Sequence, residues 1–129
     1  MDDLVKLART MMVRAHAPYS KFHVGAAVRD EDGGIHGGCN VENSAYPEGM
    51  CAEASAIAAL VASGKRRVLE CAVIGPGPEV ITPCGGCCQK LSEFAAPETK
   101  VHLCGPDGVH RTVTLGSLFP TAFGPRHIA

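Results

Sequence analysis

The sequence predicts an α/β fold in which a mixed sheet of about five strands is covered by helices in a three-layer-like arrangement. Segments of helical and of strand periodicity follow one another in the order α-β-β-α-β-α-β-β, without the strict βαβ repetition of an all-parallel sheet. The 129 residues, 46% of them hydrophobic, contain enough apolar material for a core. We therefore expect a single domain over residues 1–129.

The first half of the chain predicts a helix and a hairpin. Apolar residues recur at helical spacing over residues 2–16, and Pro18 follows that segment. Residues 22–28 and 35–40 are predicted strands, separated by a turn at Asp32-Gly33-Gly34. These two strands are expected to pair directly.

The second half predicts two helices that both begin at cysteines. Residues 51–63 are Ala-rich and precede Gly64, a residue typical of a C-terminal helix cap. The remaining predicted elements are a strand over 68–75, a helix over 83–94 and strands over 100–104 and 109–115.

Composition argues against two classes of partner. The net charge is −1, and the longest uncharged stretches are shorter than the ~18 apolar residues of a membrane helix. The run Lys65-Arg66-Arg67 follows a predicted helix end, where cations complement the helix dipole. We expect neither a nucleic-acid interface nor a membrane span.

The most informative feature is the pairing of Cys51-Ala52-Glu53 with Pro83-Cys84-Gly85-Gly86-Cys87. Three thiolates with an open fourth position are typical of a catalytic zinc, which acidifies a bound water. This order of Cys, x-Glu and a later Pro-Cys-x-x-Cys is the signature of zinc-dependent deaminases. Cys51, Cys84 and Cys87 are therefore predicted zinc ligands, and Glu53 is the predicted catalytic proton carrier.

Other functions for the seven cysteines are less consistent with the pattern. A structural four-cysteine site usually has two Cys-x-x-Cys knuckles, and a redox pair would not explain the upstream Cys51-Ala52-Glu53. Disulfides are not expected, because the cysteine count is odd and nothing indicates a signal peptide. We expect a cytoplasmic protein in which Cys39, Cys71 and Cys104 pack as small apolar residues.

Both predicted ligand segments open helices, where backbone N–H groups and the dipole favour thiolates. Cys84 and Cys87, three residues apart, are expected on one first turn, with Cys51 converging from its own helix. Glu53 is expected to point toward the open coordination position. The alternative for Glu53 is an exposed first-turn acid favoured by the dipole.

Around these residues, the chain resembles the small, homotetrameric-type cytidine deaminases from about Arg14 to Phe123. Residues 17–27, APYSKFHVGAA, are similar to the family's APYSxFxVGAA, and residues 38–43, GCNVEN, to its GCNxEN. The resemblance implies a cytidine deaminase fold and hydrolytic deamination of cytidine and deoxycytidine in pyrimidine salvage.

The resemblance also implies roles for individual residues. Asn40 and Glu42, expected on same-facing positions of a strand, would bind the sugar, and Phe22 would pack on the nucleoside. Ala52 would offer backbone groups to the pyrimidine, as would Cys84. Phe123 resembles an aromatic that family members insert over the base in a neighbouring subunit, which implies a homotetramer with shared active sites.

Two positions depart from the family. Arg usually follows both cysteine motifs, but Ala54 and Cys88 stand there. Three thiolates bound to Zn²⁺ leave a net negative charge. We therefore expect another hydrogen-bond donor or cation to offset this charge in place of the missing arginines. Cys88 is not expected to bind the metal, because it lies about 100° round the helix from Cys87.

Three alternatives remain beside cytidine deamination. The first is deamination of a modified cytosine nucleoside or nucleoside antibiotic, as in blasticidin-S deaminase, although that family lacks the Asn-x-Glu-Asn motif. The second is a zinc-binding protein without turnover, which would have no use for Glu53. The third is nucleic-acid editing, which needs a basic channel that the net charge does not favour.

Overall fold

The computed structural model describes residues 1–128, and the elements below are those of that range. The helices are α1 (Asp2–Arg14), α2 (Ala52–Ala62), α3 (Gly85–Phe94) and α4 (Leu115–Leu118). The strands are β1 (Gly25–Arg29), β2 (Ile35–Cys39), β3 (Glu70–Ile74), β4 (Lys100–Gly105) and β5 (Gly108–Thr114). Single 3₁₀ turns lie at Tyr46–Glu48 and Pro125–His127.

The described strands form one mixed sheet in the order β2-β1-β3-β4-β5. β1 pairs antiparallel with both β2 and β3, and β4 pairs antiparallel with β5. β3 and β4 are parallel, and α3 lies in the crossover between them. The predicted fold class, a mixed sheet of about five strands covered by helices, is confirmed.

The two faces of the sheet bury different helices, because successive strand residues point to opposite sides. On one face α1 places Leu4, Val5 and Ala8 against Ala27 and Ala72. On the other face, the core formed by α2 and α3 includes Ala56, Leu60, Val73, Leu91 and Val101. The result is a three-layer arrangement with its central strands fully covered.

Helix α2 approaches β2 closely at Gly38. A Cβ atom at Gly38 would lie 2.3 Å from the Ala56 nitrogen and 2.6 Å from the Ala52 carbonyl oxygen, so no larger residue fits. This contact fixes the start of α2 beside the chain that leaves β2. The candidate site lies at this junction.

Several predicted boundaries differ from the structure for local reasons. β1 begins at Gly25 rather than residue 22, because the Val24 amide donates to the Asn40 side chain. Helix α1 ends at Arg14, where Ala15 takes an extended backbone with ψ of 144°. The four-residue helix α4 was not predicted; Thr114 caps it by accepting from the Ser117 amide.

Candidate active site and metal centre

The three predicted thiol ligands lie together. The sulfur atoms of Cys51, Cys84 and Cys87 are all within 4.8 Å of one another. Cys51 comes from the start of α2, and the other two come from the start of α3. Among residues 1–128 this is the cluster of His, Cys, Asp and Glu side chains able to hold a metal ion.

Cys51 and Cys84 are the N-cap residues of their helices. Both have extended backbones, and their carbonyl oxygens accept from the Ser55 amide at 3.1 Å and the Cys88 amide at 2.9 Å. The Cys87 backbone N–H faces the Cys84 thiol and lowers the pKa of that thiol. The free N–H groups of a helix start therefore favour negative sulfur here.

The donor set fits a zinc ion. Two sulfurs bound at ~2.3 Å in tetrahedral geometry lie about 3.8 Å apart, a separation the cluster allows. Cys87 is fully buried, and burial raises the pKa of its thiol. A buried thiolate becomes favourable when a divalent cation is bound beside it, so the cluster is better explained by a metal than by free thiols.

Glu53 lies beside this cluster and is 5% exposed. Burial raises the pKa of its carboxyl group, while the charge of Lys90 and the neighbouring Cys87 thiol oppose that rise. The alternative of an exposed first-turn acid is wrong, because the side chain faces the interior of the site. A buried carboxyl group with a raised pKa is suited to accepting and donating protons.

A cavity of about 440 Å³ joins the metal cluster to the polar residues that follow β2. Its volume falls within the range of small-molecule sites. The predicted site residues that line it are Phe22, Asn40, Glu42, Cys51, Ala52, Glu53 and Cys84. Hence the structure brings together residues that lie far apart in the sequence.

Asn40 holds one wall of the cavity. Its side-chain oxygen accepts from the Val24 amide at 2.9 Å, and its side-chain nitrogen donates to the Phe22 carbonyl at 2.7 Å. Asn40 lies just after β2, which ends at Cys39. Val41, between Asn40 and Glu42, makes isolated β-bridges with His16 and Met50. The two residues thus lie outside the five strands, but they flank an extended position and both line the cavity, as expected for a shared face.

Glu42 holds the neighbouring loop. One of its carboxylate oxygens accepts from the amides of Tyr19 at 3.0 Å and Ser20 at 3.1 Å, and the other accepts from the Ser20 hydroxyl. These bonds lower the pKa of Glu42, with the Ser20 hydroxyl as the largest cause. Glu42 is thus an ionised acceptor at the cavity wall.

Phe123 does not line this cavity in its own chain. It is 55% exposed, and its ring stacks on His127 at a centroid distance of 5.0 Å. Gln89 donates to its carbonyl oxygen at 2.9 Å. The predicted role of Phe123 concerns a neighbouring subunit, so a single chain does not test it.

Cys88 lies outside the thiol cluster, as expected. It is 3% exposed within the core, and its Sγ atom lies 3.7 Å from the Pro83 carbonyl oxygen. Cys71 and Cys104 are also buried, whereas Cys39 is half-buried. Packing in the core therefore accounts for the three buried cysteines.

Lys90 is a residue of the site that sequence reasoning missed. A Cβ atom added to Gly86 would lie 3.8 Å from the Lys90 Nζ atom and 4.0 Å from the Cys84 sulfur, so the Lys90 side chain is close to this thiol. Lys90 follows Cys87 by three residues, so both lie on the same side of α3. That spacing was the available signal, and it places a cation near the thiols where the family arginines are missing.

The mixed sheet, the thiol cluster at two adjoining helix starts and the buried Glu53 define a deaminase of the zinc-dependent class. Comparison with known proteins gives the family. The chain belongs to the family described as "Cytidine and deoxycytidylate deaminase zinc-binding region", whose model matches residues 1–103. The predicted family membership is confirmed.

Named relatives and solved structures agree with this assignment. The chain is 36% identical to a cytidine deaminase of Sporosarcina psychrophila over 129 residues, covering 100% of this chain and 95% of that protein. It is 41% identical over 110 residues to a cytidine deaminase of Mycobacterium tuberculosis, covering 85% and 79%. A crystal structure of cytidine deaminase from Burkholderia pseudomallei superposes with a TM-score of 0.89 at 39% identity, covering 95% of this chain and 98% of that one.

The sequence predicts no membrane-spanning helix. In the part of the chain that the structure describes, every helix is too short or too polar to cross a bilayer.

Proposed function

We propose that this protein catalyses the hydrolytic deamination of cytidine and deoxycytidine to uridine and deoxyuridine, with release of ammonia. The observation that carries the proposal is the placement of buried Glu53 beside a cluster of three cysteine sulfurs, two of which line the same cavity as Glu53. The relatives named cytidine deaminase support the same reaction.

Cys51, Cys84 and Cys87 would hold a zinc ion in this reaction. Such an ion, with its fourth position open, acidifies water and so supplies a nucleophile near neutral pH. The chain's contribution is to direct two helix N-termini at the sulfurs and to place Lys90 nearby. Both features offset the excess negative charge of three thiolates.

Glu53 would transfer the protons. Its carboxylate accepts a proton from the attacking water and delivers it to the ring nitrogen. It then accepts the proton of the added hydroxyl group and delivers it to the amino group, which leaves as ammonia while the carbonyl forms. Its near-complete burial favours this role, because a raised pKa lets the group both accept and release a proton. A zinc protein without turnover would not need a buried carboxyl group beside its metal.

The remaining cavity residues would bind the nucleoside. Phe22 packs on the substrate, and Asn40 and Glu42 hydrogen-bond the sugar hydroxyls. Backbone groups of Ala52 and Cys84 contact the pyrimidine edge. The ionised Glu42 supports the sugar role, because a hydroxyl donates well to a carboxylate.

The charge of the cavity favours a nucleoside over a nucleotide. Of the ionisable residues lining it in the described part of the chain, Glu42 and Glu53 are acidic, and no Lys or Arg is among them. A 5′-phosphate would meet these carboxylates without a cation to bind it. The same absence of a basic channel disfavours nucleic-acid editing.

We also propose that residues 1–129 form one domain that assembles as a homotetramer. Phe123 is exposed and lies outside its own cavity, which is consistent with insertion into a neighbouring site. The free state of all seven cysteines supports a cytoplasmic location, where the reaction would serve pyrimidine salvage.

One experiment tests the reaction and the substrate class together. The zinc-loaded protein is incubated with cytosine, cytidine, deoxycytidine, cytidine monophosphate, blasticidin S and adenosine, and ammonia release is followed. We expect turnover of the two cytosine nucleosides. Preferred turnover of blasticidin S, the nucleotide or the free base, or none with any compound, would contradict the proposal.

A further inference from the structure

A second groove lies between α1 and the β4–β5 hairpin. It encloses about 350 Å³, and its lining residues are Asp2, Val5, Lys6, Arg9, Gly108 and Val109. It shares none of these residues with the cavity that holds Glu53. The groove is therefore separate from the candidate active site.

Arg9 is the unusual residue of this groove. Its Nε atom is buried, and it has no hydrogen-bond partner within residues 1–128. The guanidinium lies near the buried Cys104 thiol of β4: burial raises the pKa of that thiol, and the charge of Arg9 opposes the rise. A buried donor without an acceptor costs free energy, more so when it belongs to a charged group.

Lys6 adds a second cation without a protein counterion. Within the described range, no carboxylate lies at ion-pair distance from Lys6 or Arg9. Two nearby acids already have partners: Asp3 pairs with Arg29 at 2.7 Å, and Asp107 pairs with His110 at 2.5 Å. The positive charge of the groove is therefore not neutralised by these acids.

We propose that this groove binds a small oxyanion, with Arg9 and Lys6 as its binding residues. The fork of N–H donors on a guanidinium matches the oxygens of a phosphate or carboxylate, and Lys6 adds a point charge. An anion in the groove would accept from the two Nη groups of Arg9, because the Nε atom is buried and out of its reach. The volume is sufficient for a phosphate group with a small organic substituent.

Asp2 allows a test in which a substitution should strengthen anion binding rather than weaken it. Its carboxylate lines the groove but pairs with neither cation, and it lies in the first turn of α1, where the helix dipole favours an acid. Its negative charge opposes an incoming anion. Neutralising Asp2 should therefore tighten binding, while neutralising Lys6 or Arg9 should weaken it.

The experiment titrates zinc-loaded protein with inorganic phosphate, ribose 5-phosphate and acetate, at constant ionic strength. Binding is followed through the ¹⁵N–¹H signal of Arg9 Nε, assigned from its loss in Arg9→Gln, and through the Tm, which a ligand of the native state raises. The compound that binds best indicates the class of ligand. Ribose 5-phosphate would indicate an organic phosphate, inorganic phosphate would indicate the free ion, and acetate would indicate a carboxylate. Each supports an oxyanion site.

The variants decide whether the groove is the site. Lys6→Gln and Arg9→Gln should raise the Kd at least about tenfold, as expected for one lost charge-assisted hydrogen bond, and Asp2→Asn should lower it. Arg14→Gln, on the same helix but outside the groove, is the matched control. If no anion gives a saturable shift up to about 10 mM, or if the control and Lys6→Gln respond equally, the proposal is wrong. Cytidine deamination in the same samples tests the active site separately.

Discussion

Cys51 and Cys84 occupy equivalent positions in two different helices. Each is the N-cap residue, with ψ of 156° and 170° respectively, and their sulfur atoms lie within 4.8 Å of each other. The backbone before each helix is extended, so each thiol lies at the positive end of its own helix. Two of the three candidate metal ligands are thus positioned by the same local geometry.

The first prediction concerns metal content. Serine in place of Cys51, Cys84 or Cys87 should abolish tight zinc binding, because a three-ligand site loses one thiolate. Cys88→Ser should retain about one zinc per chain, since Cys88 lies outside the cluster. Elemental analysis of the purified variants measures this, and full zinc in Cys84→Ser would overturn the ligand assignment.

The second prediction separates proton transfer from metal binding. Glu53→Gln should keep zinc and fold but lose at least ~10²-fold in kcat, the scale expected for a positioned proton carrier. Steady-state kinetics with cytidine and zinc analysis on the same sample are the measurements. Near-normal turnover in this variant would rule out the proposed mechanism.

The third prediction concerns Lys90. If its charge offsets the thiolates, Lys90→Gln should release zinc faster to a chelator, whereas Lys90→Arg should behave like the unmodified protein. Lys100→Gln removes an exposed lysine from β4 and is the control. Equal release rates in all four proteins would show that Lys90 does not stabilise the metal centre.

The fourth prediction concerns the contact between β2 and α2. Gly38→Ala should destabilise the fold by about 1–3 kcal/mol, because the added methyl overlaps the backbone of α2 at Ala56. It should also lower zinc retention, since α2 begins at Cys51. Gly85→Ala is the control, because no heavy atom lies within 4 Å of its added carbon. The free energy of unfolding is measured with denaturant. An equal decrease for Gly38→Ala and Gly85→Ala would contradict this account.

The fifth prediction concerns pH and the β1–β2 turn. Asp30 is 2% exposed and accepts from His36 at 2.7 Å and from the amides of Asp32 and Gly34, which hold its pKa below 3.8. Because the pKa of Asp30 is lower in the native protein than in the unfolded chain, its ionised form stabilises the fold at pH values above the unfolded pKa. This stabilisation is lost as the pH falls through the native pKa. Asp30→Asn should reduce this loss in acid unfolding curves, and unchanged acid sensitivity would contradict it.

Substrate contacts make a further test possible at Asn40. Asn40→Ala should raise the KM for cytidine, but it should also loosen the loop at Phe22 and Val24, whose backbone groups it binds. The Val24 amide is partly buried, so leaving it unpaired should cost up to roughly 1–3 kcal/mol of folding free energy, whereas the exposed Phe22 carbonyl can bond to water instead. Efficient turnover of cytidine by this variant would remove the sugar role.

The thiol cluster was predictable because its signal is a spacing of rare residue types. Cys51, Cys84 and Cys87 with Glu53 form a pattern that few other sites would require, and strand periodicity was sufficient for the five-stranded sheet. The roles of Phe22, Asn40, Glu42, Ala52 and Phe123 came from the family resemblance, and they stay predictions.

Features that depend on side chains reaching across the fold were not predictable. The start of β1 is set by Asn40, which is distant in sequence and takes the Val24 amide from the ladder. The groove at Arg9 depends on how α1 packs beside the β4–β5 hairpin, which periodicity does not reveal. Lys90 is different, because its spacing from Cys87 was visible in the sequence. Helix α4 has too few residues to show a period.

Strand β3 lies between the two halves of the metal centre along the chain, and it pairs with β1 on one side and β4 on the other. Cys51 precedes this strand and Cys84 follows it, so an ion that bridges the two sulfurs closes a loop of chain that contains β3. Neither ligand segment alone carries the complete site. Metal binding and the pairing of β3 are therefore coupled, and a substitution that weakens this pairing should speed the release of zinc even when it lies far from the cysteines.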